Sequence, residues 1–316
     1  MKTKRYLGKS DLQIVPFVLG GNVFGWTADE KTSFDILDAY VDLGFDFIDT
    51  ADAYSAWVEG NKGGESETII GKWLQKTGKR DKVVISTKVG ARIDDDRKGL
   101  KKDYILREAE ESLRRLKTDY IDLYFTHYDD MDTPISETLE AYTQLVKEGK
   151  VRYIGTSNMP PARIRESIEV SRGNGLEEYI CLQPEYNLYD RSGYEKDYEP
   201  LAQDYGLGVV SYYSLASGFL TGKYHSKDEL SQSQRGGNIG KYLDDRGKRI
   251  LSALDEISRK HKATPAQIAL AWILARPSVT APIASVSKTS QLDILQSVEI
   301  DLGRGDVEQL NEASRY

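Results

Sequence analysis

Cysteine is almost missing from this chain. Cys181 stands alone among 316 residues, so no disulfide can close within it, and a reducing compartment is the expectation. Histidine is nearly as scarce: His127, His225 and His261 have no spacing typical of a zinc site. No stretch approaches the roughly 18 uninterrupted apolar residues of a membrane span. The basic start, MKTKRYLGKSDLQIV, is not followed by an apolar run of signal-peptide length. A cytoplasmic protein without a membrane partner is therefore expected. A block of basic charge is also lacking. The 43 Lys and Arg are interleaved with 50 Asp and Glu, for a net charge of −7, which argues against a nucleic-acid footprint. An anionic small ligand stays compatible, because one pocket can be positive on an acidic protein. The acidic runs Asp94–Asp96 and Asp129–Asp130 lack the alternating ligand spacing of a calcium loop, so no metal is expected.

The chain also lacks an internal linker or low-complexity block, and a single domain over residues 1–316 is the expectation. What it has instead is alternation. After a start that reads as a hairpin (Lys4–Leu7 and Gln13–Phe17 around a turn at Gly8–Asp11), eight short apolar runs recur: Phe17–Leu19, Phe45–Ile48, Val83–Thr87, Ile121–Phe125, Val151–Gly155, Ile180–Gln183, Val209–Tyr212 and Ala281–Ile283. Helical patterns lie between them. Glu65–Gln75 puts Ile69, Ile70, Trp73 and Leu74 on one face; Ile105–Leu116 does so with Ile105, Ala109, Leu113 and Leu116. Thr133–Pro134 and Thr264–Pro265 read as N-cap and first helical residue of the helices that follow. Eight strands alternating with helices predict an α/β fold, a (β/α)8 TIM barrel with an N-terminal β-hairpin, and an open doubly wound sheet is the alternative. The stretch from Thr221 to about Leu243, rich in Gly, Ser, Gln and Lys, falls where a barrel carries a long active-face loop or a plain surface insertion.

Barrels of this kind place reactive groups at the C-terminal ends of their strands. Strands two to seven each end in a polar group: Asp49 with Tyr54 close behind, Lys88, His127, Ser157 with Asn158, Gln183, and Tyr212. Singly, each has an ordinary reading: Asp49 as a loop carboxylate, Lys88 as a residue reaching solvent, His127 as a satisfied structural histidine, and Tyr54 as one of 20 tyrosines. Jointly they suit one reaction. An ammonium near a phenol favours its phenolate, and a carboxylate fixes that ammonium. Asp49, Lys88 and Tyr54 can form such a chain, with His127 orienting a carbonyl that Tyr54 protonates as a hydride arrives. No side chain supplies hydride, so a redox cofactor is implied.

With these residues in view, the chain resembles the aldo-keto reductase family from near its first residue to near its last. The motifs are Gly20-Gly-Asn-Val-Phe-Gly25, Asp49-Thr-Ala-Asp-Ala-Tyr54, Ser86-Thr-Lys88, Leu123-Tyr-Phe-Thr-His127, Ile154-Gly-Thr-Ser-Asn158, Gln183-Pro-Glu-Tyr-Asn187, Val209-Val-Ser-Tyr-Tyr-Ser-Leu215, Ser217-Gly-Phe-Leu-Thr-Gly-Lys223 and Ala281-Pro-Ile-Ala-Ser285. The version is similar to the bacterial NADP-dependent branch. The resemblance implies an oxidoreductase acting on aldehydes, ketones and the corresponding alcohols. Asp49, Tyr54, Lys88 and His127 match its catalytic tetrad, with Tyr54 the general acid. Ser157, Asn158 and Gln183 match the residues that hold the nicotinamide carboxamide, and Tyr212 the aromatic that stacks on the ring. Ser214, Leu215, Ser217, Gly218 and Lys223 match the loop around the pyrophosphate. Ser285, Ser287, Lys288 and Gln291 match the adenosine end and its 2′-phosphate.

Two departures bear on the cofactor. Gln291 stands where an arginine is frequent, with Leu295 where an asparagine is, which weakens the adenosine anchor; and Ser214 replaces a common proline, which should loosen the loop. NADP(H) is still favoured over NAD(H), because Ser285, Ser287 and Lys288 supply hydroxyls and a positive charge, to which Arg235 would add another. Trp26, Trp57 and Tyr128 follow strands one, two and four; Trp26 and Trp57 are expected to wall a substrate pocket suited to apolar or aromatic carbonyls.

Other motifs carry less. Gly206-Leu-Gly precedes a strand instead of following one, so it reads as a helix-to-strand turn and not a dinucleotide fingerprint. Gly236–Tyr242 lacks the pattern of a P-loop. A barrel glycosidase needs two strand-end carboxylates, and the ends of strands three to seven lead with non-acidic groups. The competing function is a nicotinamide-binding redox sensor or accessory subunit with little turnover, as among channel-bound relatives of the family. No feature of the sequence argues for a particular oligomeric state.

Overall fold

In a barrel strand, side chains alternate between the lumen and the surrounding helices, and this period of two organises the whole molecule. The structure, a computed structural model, describes residues 2–224, 237 and 239–316. After an antiparallel pair, β1 (Arg5–Tyr6) and β2 (Gln13–Ile14), come eight parallel strands. They are β3 (Val18–Gly20), β4 (Phe47–Asp49), β5 (Val84–Val89), β6 (Ile121–Thr126), β7 (Val151–Ser157), β8 (Tyr179–Gln183), β9 (Gly208–Ser211) and β10 (Ala281–Ala284). Each pairs with the next, and β10 pairs with β3, closing a (β/α)8 TIM barrel.

The lumen is filled from below by one apolar cluster. Val18, Phe47, Leu123, Phe125, Cys181, Val210, Ala281 and Ile283 meet there with Leu7, Leu12 and Ile14 of the hairpin. Gly8, at the hairpin tip, lies against Ile180 O and Gly208 N at the N-terminal ends of β8 and β9, so the hairpin closes the lower end. Two residues further along each strand, the same inward register delivers Asp49 after Phe47, His127 after Phe125, Gln183 after Cys181 and Tyr212 after Val210. The apolar layers and the polar rim are thus one alternation read at two heights.

The outward residues meet the helices. α1 (Glu30–Asp42), α2 (Glu65–Thr77), α3 (Lys102–Leu116), α4 (Ile135–Lys147), α5 (Pro161–Asn174), α6 (Glu199–Tyr205), α7 (Asp245–His261), α8 (Pro265–Leu274) and α9 (Arg304–Ala313) bury their apolar stripes in one continuous outer core. α2 buries Ile69, Ile70, Trp73 and Leu74, and α3 buries Ile105, Ala109, Leu113 and Leu116, as their periodicity predicts. Thr264 caps α8 in a reciprocal box with Gln267, with Pro265 at the first turn. Gly206 ends α6 at φ 65°, the helix-to-strand turn expected of it.

Boundaries differ where side chains capture the backbone. The second hairpin strand stops at Ile14, not Phe17, because the Val15 N–H donates to Asp46 Oδ1 (3.0 Å) and Pro16 has no N–H to pair. α4 starts one residue late: Pro134 is its N-cap, at ψ 135°, and the Thr133 hydroxyl donates to Asp130 (2.7 Å) instead of capping the helix. Among the described residues, no helix is long and apolar enough to cross a membrane.

Candidate active site

A cleft of about 1410 Å³ opens over the C-terminal ends of the barrel strands. At its floor, Lys88 is wholly buried, and its ammonium is divided among three oxygens. It donates to Asp49 Oδ2 (2.5 Å), to the carbonyl of Thr50 (2.8 Å) and to Tyr54 OH (3.0 Å). Asp49 is fixed from its other oxygen, which accepts from Ser86 Oγ (2.7 Å) and Gln183 Nε2 (3.1 Å). The Tyr54 hydroxyl donates only a long bond, 3.4 Å, to Asp49 Oδ2, so its proton is weakly held. The His127 ring lies 6.0 Å from the Tyr54 ring, centroid to centroid.

Burial governs the proton affinities here. It depresses the Lys88 ammonium, and Asp49 opposes that by charge and hydrogen bond. It also pushes the Tyr54 phenol well above the ordinary tyrosine range, and the Asp49 carboxylate adds to the effect. Lys88 touches the phenol oxygen directly, but burial and the Asp49 carboxylate favour the neutral phenol in the resting site. His127 is driven well below its usual range, first by burial and then by Lys88. It is a neutral imidazole whose buried Nδ1 has no hydrogen-bond partner.

Backbone strain marks the same rim. Of the seven non-glycine residues with left-handed φ among the described residues, Lys117 and Lys262 end helices. The other five, Ser55, Asn158, Tyr213, Ala216 and Ser217, follow β4, β7 and β9. Such residues cost about 1–3 kcal/mol each and gather at functional sites. Asn158 is held by the Tyr212 hydroxyl, which donates to its Oδ1 (2.9 Å), while its own amide donates to His127 O (2.9 Å) and Ser157 Oγ (3.0 Å). The Ser157 hydroxyl donates to Gln183 O (2.9 Å). Tyr212, Asn158, Ser157 and Gln183 are therefore one connected set.

After β9 the chain turns from Leu215 (φ −106°, ψ 16°) to Ser217 (φ 57°, ψ 17°) and Gly218 (φ 100°). The Ala216, Gly218 and Leu220 N–H groups bond backbone carbonyls within this turn and so hold its shape against the cleft. Lys223 lines the same wall, and Ser285, Ser287, Lys288 and Gln291 line the wall across the cleft. Among the described residues no carboxylate pairs with Lys223 or Lys288. These features fit a dinucleotide with its phosphates along the turn. Gln291 Oε1 accepts from Ser287 N (2.8 Å) and Oγ (3.3 Å), and Ser285 Oγ donates to Asn22 Oδ1 (2.5 Å). Leu295 is buried in the outer core and does not reach the cleft.

Two expectations resolve differently. Ser214 does not loosen its loop: its buried hydroxyl donates to Ser211 O (2.9 Å) and lies 3.2 Å from Ser211 Oγ, tying the turn shut in place of a proline ring. Arg235 lies outside the described residues, as does His225. Trp26 and Trp57 do meet, edge to face at 5.7 Å, and Trp57 reaches the Tyr54 ring at 6.2 Å. Tyr213 completes this mouth, 49% exposed, and sequence reasoning missed it. Alternation after Tyr212 points the next residue away from the lumen, but the positive φ of Tyr213 (52°) turns the backbone there.

A barrel with a buried lysine–carboxylate–tyrosine cluster beneath an open cleft defines a class of oxidoreductase, and the comparisons agree. The profile of the Aldo/keto reductase family matches residues 16–315, and the chain belongs to that family. It is 38% identical to the uncharacterized oxidoreductase YrpG of Bacillus subtilis, covering 97% of this chain and 94% of that protein. It is 34% identical to the aldo-keto reductase YhdN of the same organism, over 89% and 82%. A probable voltage-gated potassium channel subunit beta of Arabidopsis thaliana is also 34% identical, over 90% and 88%.

Proposed function

We propose that this protein, one barrel domain over residues 1–316, is a cytoplasmic NADPH-dependent reductase of aldehydes and ketones that also runs in reverse. The observation that carries the reading is the threefold sharing of the Lys88 ammonium by Asp49, Thr50 O and Tyr54 OH at the floor of the cleft. When bound, NADPH would be the source of the hydride. Every other part of the reaction belongs to the chain. The neutral imidazole of His127 orients the carbonyl oxygen by hydrogen bonding. Tyr54, kept protonated by burial, gives its proton to that oxygen as negative charge builds, because an alkoxide is a stronger base than even a raised phenolate. The phenolate so formed faces the Lys88 ammonium at 3.0 Å, which stabilises it until solvent returns the proton. Ser157, Asn158 and Gln183 serve the carboxamide, and Tyr212, locked by Asn158, is the stacking platform. Ser214 shapes the phosphate loop, whose contacts come from Leu215, Ser217, Gly218 and Lys223. Ser285, Ser287, Lys288 and Gln291 favour the 2′-phosphate. Trp26 and Trp57 admit apolar or aromatic substrates.

The test follows loss of reduced-nicotinamide absorbance with NADPH and NADH separately, over a panel of aldehydes and ketones. NADPH oxidation in preference to NADH is expected. Tyr54→Phe should bind NADPH normally while turnover falls by about 10²–10⁴-fold, the range of a lost general acid. Relatives named as channel subunits make binding without turnover the outcome to look for. Tight NADPH binding with no oxidation by any carbonyl overturns the reductase reading in favour of a redox sensor.

A further inference from the structure

Behind the tetrad, between the barrel wall and helices α2 and α3, lies a second buried cluster that the proposed chemistry does not use. Asp52 is 1% exposed, and neither of its carboxyl oxygens has a hydrogen-bond partner. Its surroundings are crowded with ionisable groups from every neighbouring element. Glu67 comes from α2. Tyr104, Glu108 and Arg115 come from α3, Tyr124 from β6, Tyr142 from α4, and Lys88 from β5. Arg97, which stands near Glu108 and Tyr104, is paired with Asp94.

The half-buried guanidinium of Arg115, beside this cluster, is already committed. Arg115, packed on Gly64 where a side chain would collide with it, donates from Nε to Glu67 Oε2 (2.6 Å) and from Nη2 to Glu108 Oε1 (2.5 Å). Glu67 also accepts from Thr87 Oγ1 (2.5 Å). Two carboxylates thus share one cation, and the third carboxyl gets none. An isolated buried carboxylate is strongly disfavoured and takes a proton instead. Burial pushes the Asp52 carboxyl well up, Glu67 and Glu108 push it the same way, and Arg115 opposes them. As the neutral acid it gains an O–H, and the Tyr104 and Tyr124 hydroxyls, likewise buried and unpartnered, are oxygens on this side of the wall.

The place of Asp52 in the chain gives the cluster a consequence. The segment from Asp49 to Tyr54 is stitched to β5 by backbone bonds, Thr50 N to Ser86 O (2.8 Å) and Asp52 N to Lys88 O (3.2 Å). Asp52 is therefore the last tie before Tyr54, bonded to the residue that carries the catalytic ammonium. We propose that Asp52 is a positioning residue of the reductase, an uncharged carboxylic acid wedged among Glu67, Glu108, Tyr104 and Tyr124 that holds the Tyr54 loop against the Lys88 strand. The proposal rests on the reductase reading for its effect on turnover but not for the state of the acid.

Two kinds of measurement separate these. The first needs no turnover: infrared spectra of the folded protein at neutral pH should show a carboxylic-acid C=O stretch that Asp52→Asn abolishes. In thermal unfolding, the wild type should lose stability relative to Asp52→Asn as pH rises from 5 to 8, because the unfolded chain releases the proton that the folded state keeps. The second reads kinetics. Asp52→Asn, which preserves shape and neutrality, should keep kcat within about threefold of wild type, whereas Asp52→Ala should lower kcat by about tenfold or more with NADPH affinity unchanged. No infrared band at neutral pH, or a stability difference that does not vary with pH, overturns the proposal, as does full kcat in Asp52→Ala. If Asp52→Ala does not fold, the Asn variant decides: a tenfold loss of kcat there overturns it. A wild type that shows the band but no turnover would overturn the reductase reading and leave the neutral acid standing.

Discussion

Lys88 and Asp49 form an ion pair out of reach of water, and such pairs reveal themselves when one partner is removed. Breaking a buried pair typically costs about 3–5 kcal/mol, because the remaining charge is stranded. Asp49→Ala should therefore lower stability in urea by about 3 kcal/mol as well as turnover; a loss under about 1 kcal/mol would mean the ammonium is satisfied without it. His127 makes an acid-side prediction. Its proton affinity is lowered on folding, so below about pH 6.5 the unfolded chain binds a proton that the folded one refuses. Stability contributed by the neutral ring is complete above that pH and falls, by up to about 1.4 kcal/mol per pH unit, until the folded pKa is reached. His127→Gln should remove this part of the acid destabilisation. Parallel pH profiles for wild type and variant between pH 6.5 and 5 would show that the ring titrates normally.

At the scale of elements, helices α2 and α3 cross so closely that a Cβ on Gly71 would run into the carbonyl of Arg115. Alanine in mid-helix is ordinarily favourable by about 1 kcal/mol over glycine. Here Gly71→Ala should instead destabilise by about 1–3 kcal/mol, the usual range for overpacking, read as a lower urea midpoint. It would also shift Arg115 and so the Asp52 cluster; a gain in stability would contradict the crossing. The elements were legible in the sequence wherever periodicity spoke: α2 and α3 from their apolar stripes, α8 from its Thr-Pro start, the strands from short β-branched runs. They were misjudged where one side chain competes with the backbone, as Asp46 does at Val15, or where proline takes a cap position, as Pro134 does. Such contests are settled by tertiary neighbours that no local window contains.

For the whole molecule, the site was legible because the barrel makes strand ends converge: Asp49, Lys88, His127, Gln183 and Tyr212 needed only their order along the chain to be placed together. Tyr213 and Asp52 were not legible, since one depends on a left-handed backbone and the other on which of three carboxyls a single arginine fails to reach. Ligand binding should also register globally. If NADPH is the preferred cofactor, a concentration 100-fold above its Kd stabilises the fold by about 2.7 kcal/mol, and the matching rise in Tm should be smaller with NADH at equal concentration. Equal shifts would mean that Lys288 and its neighbours do not discriminate the 2′-phosphate.

The hairpin packed under the barrel turns a tube into a cup. With Leu7, Leu12 and Ile14 wedged among the lowest lumen residues, the floor is plugged, and among the described residues the doorway is the lip bearing Trp57 and Tyr213. Two reactants that must touch at the bottom of a cup cannot come and go freely past each other. On the reductase reading they should form a queue in which whichever lies deeper enters first and leaves last.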